Sequence, residues 1–389
     1  MLYLDTAATS PVRREVLEAM WPYMTQEFGN AASHHEAGRR ALAGLDRARE
    51  TVAAVLNCRP AEVIFTSGGT EADNLAVKGI ALGRRDRDPA LRHVVTSAVE
   101  HHAVLDSARD LARWDGFEAT ELGVSGEGLV DPGTLAGAVR PDTAVVSVMY
   151  ANNETGAVQE IADMAAVARA RNVPFHTDAV QAAGSLDLDV QALHVAALSL
   201  AGHKIGAPKG VGVLYLRRGT PLRPLLSGGG HERGRRSGTS DVAGAVGLAT
   251  ALRIAAEERE SRTARVAAQR DRLIGGILSA VPSAILTGPD PRRAPGSRLP
   301  GNASFCFPGV NGETVLVDLE ARGLLVSSGS ACSAGDTEPS HVLTAMGFPP
   351  EVATTAVRFT LPADITEQQV DAVVEATRDV VGRLNGRNT

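Results

Sequence analysis

Leu198-Ser199-Leu200-Ala201-Gly202-His203-Lys204-Ile205-Gly206 is the stretch on which the reading of this chain turns. From Val195 to Gly202 no side chain carries a charge, so the run reads as a short strand inside a sheet rather than on its solvated face. The small residues that follow turn the chain and deliver an amine directly after a histidine. Burial disfavours the charged form of an amine and frees it to form a Schiff base, so Lys204 is a candidate nucleophile. Taken alone, it also reads as a lysine that merely caps a strand end, the commoner case.

Two upstream segments weigh against that plainer reading. Pro174-Phe175-His176-Thr177-Asp178 is an apolar strand ending in a carboxylate, with Gln181 three residues on. An acid at the carboxyl end of a strand suits pyridoxal 5'-phosphate, whose pyridinium nitrogen it keeps protonated. Asp178 and Gln181 also fit a helix N-cap and its capping box, and both readings can hold. Val63-Ile64-Phe65-Thr66-Ser67-Gly68-Gly69-Thr70-Glu71-Ala72-Asp73-Asn74 is a β-branched strand that breaks at two glycines and restarts as a helix. Free backbone N–H groups at such a helix start make an anion site, with Gly69 at the turn and the Thr70 hydroxyl as a further donor. A nucleotide P-loop would need a Gly-Lys-Ser/Thr ending, which is absent.

Further strand-like runs, His93–Ser97, Ala144–Met149 and Val173–His176, alternate with helical stretches, the pattern of an α/β fold with a mostly parallel sheet covered on both faces. Gly69, Thr70, His101, Asn153, Asp178 and Lys204 each closely follow a strand candidate, where ligand sites in such sheets lie. Ser240 to about Leu278 reads as helical, Gly288 to Gly301 as a polar, Pro-rich surface loop, and the remainder as an α/β lobe. The expected division is an N-terminal segment, 1–15, packing with the small domain, a large cofactor-binding domain, 16–258, and a small C-terminal domain, 259–389.

Composition narrows the class. The chain has 389 residues, 44% hydrophobic and 22% charged, enough for two domains with substantial cores. Its net charge of −6 offers no electrostatic case for nucleic-acid binding. No apolar run approaches the roughly 20 residues that span a bilayer, and the start lacks a secretory h-region. Three cysteines, Cys58, Cys306 and Cys332, are too few for a disulfide framework. A reduced, cytoplasmic protein is the expectation. Cys332 lies in Ser327-Ser328-Gly329-Ser330-Ala331-Cys332-Ser333-Ala334-Gly335, which has nothing to bury, so its thiol is expected to ride on a mobile loop. Cys306, between Phe305 and Phe307, reads as a packed thiol instead.

These segments carry a family resemblance. With Tyr3-Leu4-Asp5, Ala7-Ala8-Thr9, Phe28-Gly29-Asn30, Glu100-His101-His102, Asn152-Asn153-Glu154, Gly202-His203-Lys204, Gly229-Gly230-His231-Glu232-Arg233, Arg236-Ser237-Gly238-Thr239 and Arg358-Phe359, the whole chain resembles the cysteine desulfurases. These are fold-type I pyridoxal-phosphate enzymes of the class V aminotransferase group, and the chain is similar to the housekeeping type that serves iron–sulfur cluster assembly. The resemblance implies a seven-stranded-type sheet in the large domain. It implies that His101 stacks over the cofactor ring and shuttles protons, that Asn153 and Gln181 meet the ring oxygen, and that His203 and Thr239 bind the phosphate. Thr239 would reach across from the partner subunit of a homodimer with shared active sites. Asn153 and Arg358 would bind the substrate, the Arg358 fork gripping the α-carboxylate of L-cysteine.

Cys332 would attack the substrate sulfur, release L-alanine, keep a persulfide, and pass it to an iron–sulfur scaffold or a tRNA-thiolation partner. No resident metal is implied, Cys332 being at most a transient ligand to an iron–sulfur cluster. Ala201 stands where that type commonly has a phosphate-binding serine, and Ala31 where it often has a proline. A selenocysteine lyase or an aminotransferase of the same fold would use Lys204 and Asp178 identically. A non-catalytic sulfur-transfer scaffold would have no use for Lys204, Asp178, His101 and Cys332 together.

Overall fold

Period-two alternation in the short apolar runs sorts their side chains onto two faces, and the computed structural model, which describes residues 1–328 and 339–386, shows helices over both. After β1 (Leu2–Tyr3), α1 (Arg14–Thr25) and α2 (Glu36–Val55), the chain lays down β2 (Val63–Thr66), α3 (Gly69–Arg85), β3 (His93–Ser97), α4 (His102–Trp114) and β4 (Glu118–Leu122). It continues through α5 (Pro132–Ala138), β5 (Thr143–Ser147), α6 (Ile161–Ala170), β6 (Phe175–Asp178), β7 (Ala197–Ala201) and β8 (Gly212–Leu216).

Among the described residues β2 to β8 form one sheet in the order β2-β8-β7-β6-β5-β3-β4. All pairings are parallel except those of β8, which runs antiparallel to both neighbours. Val63, Phe65, Val146, Leu198, Val213 and Tyr215 pack on the face covered by α1, α2, α6 and a later helix, α7 (Val242–Ala280). Their neighbours Ile64, Val145, Ala197, Leu214 and Leu216 pack on the face covered by α3 and α4. A one-residue slip would exchange the two sets, so the register is strongly specified.

The run read as helical from Ser240 is a single 39-residue helix, α7 (Val242–Ala280). At 1.5 Å per residue it is about 58 Å long. Its residues up to Ala255 belong to the core of the large sheet, and those from Val266 to Ile277 to a second core. That second core is built on β9 (Ile285–Leu286), β10 (Asn302–Cys306), α8 (Gly312–Glu320), β11 (Leu324–Leu325), β12 (Ala356–Thr360) and α11 (Glu367–Asn385), while α9 (His341–Ala345) and α10 (Pro350–Ala353) pack in a separate small cluster with Val99 and Cys306. β10 sits between β12 and β9, antiparallel to both, and β1 pairs in parallel with β11. Leu4 is fully buried in this second core, which carries the N-terminal segment with it.

Two local expectations change. β4 and β8 are absent from the strand-like runs, and β8 is the antiparallel member of the sheet. The loop Gly288–Gly301 is exposed only over 292–296, whereas Arg298 is 2% exposed. Arg298 donates to the main-chain oxygens of Pro289 (2.8 Å), Thr155 (2.6 Å) and Thr287, and to Asn302 Oδ1 (3.2 Å). A loop of polar composition is thus buried at its ends because one guanidinium satisfies carbonyls that would otherwise go unpaired.

A candidate active site at the carboxyl ends of the strands

The strand runs stop where small residues turn the chain, so the segments after β2, β3, β5, β6 and β7 gather at one end of the sheet. After β2 the chain turns at Ser67-Gly68-Gly69 into α3. A Cβ at Gly212, opposite on β8, would fall 2.5 Å from the carbonyl carbon of Gly68, and one at Gly69 would fall 2.8 Å from Val180 Cγ2. Both glycines let the start of α3 approach β8 and the segment after β6. No side chain caps α3, whereas His35, His101, Asp131 and Asp241 cap α2, α4, α5 and α7. An uncapped helix start with free N–H groups fits a phosphate, which would itself be the cap. Thr70 is exposed in the first turn, and Ala201 is buried with no hydroxyl to offer.

His101 caps α4, its Nδ1 accepting from the Ala103 N–H at 3.1 Å. A ring that accepts at Nδ1 carries its remaining proton on Nε2 and is neutral. Burial pushes its pKa down, with Asp178 opposing and Lys204 reinforcing that direction. Asp178 ends β6 as a buried carboxyl whose Oδ1 accepts from the Val180 N–H at 2.8 Å. Burial raises its pKa, while His101 and Lys204 act to lower it. A cofactor bearing a protonated ring nitrogen supplies the counter-charge such a buried carboxylate needs, and to that extent the residues fit pyridoxal phosphate.

No helix follows Asp178, and the capping box expected there does not form. Gln181 Nε2 instead donates to the main-chain oxygen of Ala7 at 3.0 Å. That oxygen also accepts from Lys204 Nζ, which donates to the Ala8 oxygen as well, at 2.8 Å. His203 shares a hydrogen bond of 3.2 Å with Thr9 Oγ1, and burial pushes its pKa down to about 4. The segment Ala7–Thr9 therefore lies across Lys204, Gln181 and His203.

Two further buried carboxyls lie beneath the site. Asp73, on α3, has its pKa raised by burial and then by Asp178. Glu100, fully buried, accepts from Ser97 Oγ and from the Met149 N–H at 2.7 Å, and burial lifts its pKa to about 8. Glu100 holds its proton in the folded chain to a higher pH than in the unfolded one, so its contribution to stability is present at low pH and lost as pH rises through 8. Between about pH 4.5 and 8 the loss is up to about 1.4 kcal/mol per pH unit. Glu100→Gln should consequently gain in melting temperature relative to the parent chain from pH 6 to pH 9, by thermal unfolding monitored with circular dichroism. A gap independent of pH would show that Glu100 is ionised throughout.

The two residues assigned to substrate binding meet: Arg358 Nη1 donates to the main-chain oxygen of Asn153 at 2.9 Å. Thr239 lies apart, exposed on the loop after β8, with no hydrogen bond to another site residue among those described. That loop is tied to the site by ion pairs the local sequence did not reveal. Arg236 binds both oxygens of Glu71, in the first turn of α3, at 2.8 and 3.1 Å. Arg49 binds both oxygens of Glu232 at 2.7 and 2.9 Å in a nearly dry setting.

Burial pushes the Cys58 and Cys306 thiols up to about 12, which makes both poor nucleophiles. Cys332 lies outside the described residues. The residues flanking its segment border the site. Ser327 and Arg358 exchange main-chain hydrogen bonds of 3.2 and 2.7 Å, Ser340 Oγ donates to Glu154 Oε2 at 2.6 Å, and His341 Nε2 meets the Glu100 carbonyl at 2.9 Å. His102 is exposed and packs on the His341 ring at 4.6 Å between centroids. No helix of the described residues is long and apolar enough to cross a membrane.

The family model described as aminotransferase class-V matches residues 2–373. An IscS-like cysteine desulfurase of Mycobacterium tuberculosis is 47% identical over 385 residues, covering 98% of this chain and 97% of that protein. The cysteine desulfurase NifS of Azotobacter vinelandii is 43% identical over 384 residues, 98% and 93% of the two chains. Among solved structures, a NifS-like protein superposes with a TM-score of 0.89 at 35% identity, over 98% of this chain and 99% of that one. DndA from Streptomyces lividans superposes with a TM-score of 0.76 at 38% identity, over 92% and 99%.

Proposed function

The chain belongs to the class-V aminotransferase family, and we propose that within it the protein is a pyridoxal-phosphate-dependent cysteine desulfurase that supplies sulfur for iron–sulfur cluster assembly. The observation that carries this reading is the meeting of an uncapped helix start, a neutral His101, a buried Asp178 and Lys204 at one end of the sheet. Elimination among the cysteines supports it, since two of the three are packed away with raised pKa.

The α3 start with Gly69 and Thr70, His203, and Thr239 from the second subunit of a homodimer would hold the phosphate. Asp178 would pair with the ring nitrogen, Asn153 and Gln181 would face the ring oxygen, His101 would cover the ring, and Lys204 would anchor the cofactor at rest and be free as an amine once substrate is bound. When bound, pyridoxal phosphate would supply an electron-accepting ring that acidifies the substrate α-carbon and activates the bond between the β-carbon and the sulfur. Arg358 grips the α-carboxylate of L-cysteine, and Lys204 Nζ takes the α-proton. The neutral His101, with its proton on Nε2, is set to donate or recover a proton at the reacting atoms. The Cys332 thiolate attacks the substrate sulfur. The S–S bond forms as the C–S bond breaks, and its electron pair stays with the carbon skeleton, which is protonated and leaves as L-alanine. The persulfide on Cys332 then passes to an acceptor thiol of a scaffold protein or a tRNA-thiolation partner in the reducing cytoplasm.

Incubating the cofactor-loaded protein with one equivalent of L-cysteine per site and no other thiol should give one alanine per active site and a mass gain of one sulfur on the peptide holding Cys332. With a reductant present, alanine and sulfide should accumulate in equal amounts. Transamination to a keto acid, or turnover of selenocysteine alone, would exclude the desulfurase reading.

A further inference from the structure

Arg358, on β12, is 2% exposed, and its guanidinium is held from two sides. Nη2 donates to Asp5 Oδ1 at 2.7 Å and Nη1 donates to the Asn153 carbonyl at 2.9 Å. These contacts use two of its five N–H donors, and the buried Nε–H has no partner among the described residues. A buried donor left unpaired is costly, and a planar carboxylate is the group that matches a guanidinium edge.

Asp5 arrives on a fixed main chain. The Leu4 N–H donates to the Leu325 oxygen at 2.8 Å, the Thr360 N–H donates to the Leu4 oxygen at 2.7 Å, and Asp5 is bridged to Thr360. The contact is also one-pointed. Two-point pairs elsewhere in the protein, Arg13 with Glu258, Arg49 with Glu232 and Arg236 with Glu71 among them, occupy a whole guanidinium edge. Asp5 occupies a single hydrogen of Arg358 and leaves the Nε–H without a partner among the described residues.

We propose that Asp5 is a positioning residue for substrate recognition, acting through Arg358 to orient the fork that takes the α-carboxylate of the amino-acid substrate. The inference rests on the reading of the protein as an enzyme of free cysteine. Asp5 neutralises a guanidinium that would otherwise be buried with an uncompensated charge, and with the Asn153 carbonyl it fixes the plane of that group before substrate arrives.

The test uses the cofactor-loaded enzyme and compares L-cysteine with its methyl ester, which lacks the carboxylate charge. Asp5→Ala should raise KM for L-cysteine about tenfold and keep kcat within about twofold, as expected for losing one charge-assisted hydrogen bond used in binding. The preference for the acid over the ester, read by spectral titration of the bound cofactor, should shrink by a similar factor. Asp5→Glu should restore most of both. If Asp5→Ala does not fold, Asp5→Asn, which keeps the side-chain volume, is read in the same way. An unchanged KM, a lowered KM, or an equal loss for acid and ester would overturn the proposal. A parent enzyme that binds L-cysteine but makes no alanine would instead refute the desulfurase reading, while the acid–ester comparison would still report on Asp5.

Discussion

Lys204→Ala should lower alanine formation by about 10⁴-fold or more, the upper end of what a single positioned proton carrier contributes, because it also removes the amine that anchors the cofactor. The structural cost is far smaller. Two main-chain hydrogen bonds are lost, to the Ala7 and Ala8 oxygens, of which Ala7 keeps Gln181, and each is worth about 1 kcal/mol. Melting temperature should therefore change by only a few degrees while turnover vanishes. Borohydride reduction of the parent protein should fix one cofactor per chain on the peptide containing Lys204, and none in the variant. Attachment to any other lysine would displace Lys204 from its role.

Cys332→Ala should separate substrate binding from sulfur transfer. The variant keeps Lys204, Asp178, His101 and Arg358, so L-cysteine should still change the absorbance of the bound cofactor. Alanine and sulfide release should nevertheless fall by orders of magnitude, since each 1.36 kcal/mol of lost barrier reduction is about tenfold and no thiolate remains to take the sulfur. Cys306→Ala is the contrast. Cys306 is fully buried against Val99, Val342, Leu343, Met346, Ala353 and Ala356. Its truncation leaves a small cavity that costs about 1 kcal/mol of stability, with activity near that of the parent. Wild-type desulfuration by Cys332→Ala together with its loss in Cys306→Ala would put the persulfide on the wrong thiol.

What could be read in advance was written at short range. β2 and β3 coincide with their sequence runs, because β-branched and apolar residues bounded by turn residues can bury only as strands. Lys204, Asp178 and His101 were legible for the same reason, each a chemically able side chain within a few residues of a strand end. Gln181 shows where such reading stops. Its spacing from Asp178 is that of a capping box, yet no helix follows and its amide turns to Ala7, 174 residues away.

Local patterns were enough for the α/β layering, for the end of the sheet where the candidate residues gather, and for the residue types delivered there, since periodicity, caps and turns act over fewer than ten residues. Who faces whom emerges from the packed chain alone: Asp5 with Arg358 across 353 residues, Arg49 with Glu232 across 183, Glu71 with Arg236 across 165, and β8 inserted antiparallel between β2 and β7. Such pairings leave no periodic trace, because an ion pair or a strand insertion is selected by where two packed cores bring distant backbone together and by the cost of leaving a charge or a sheet edge unmatched in the interior.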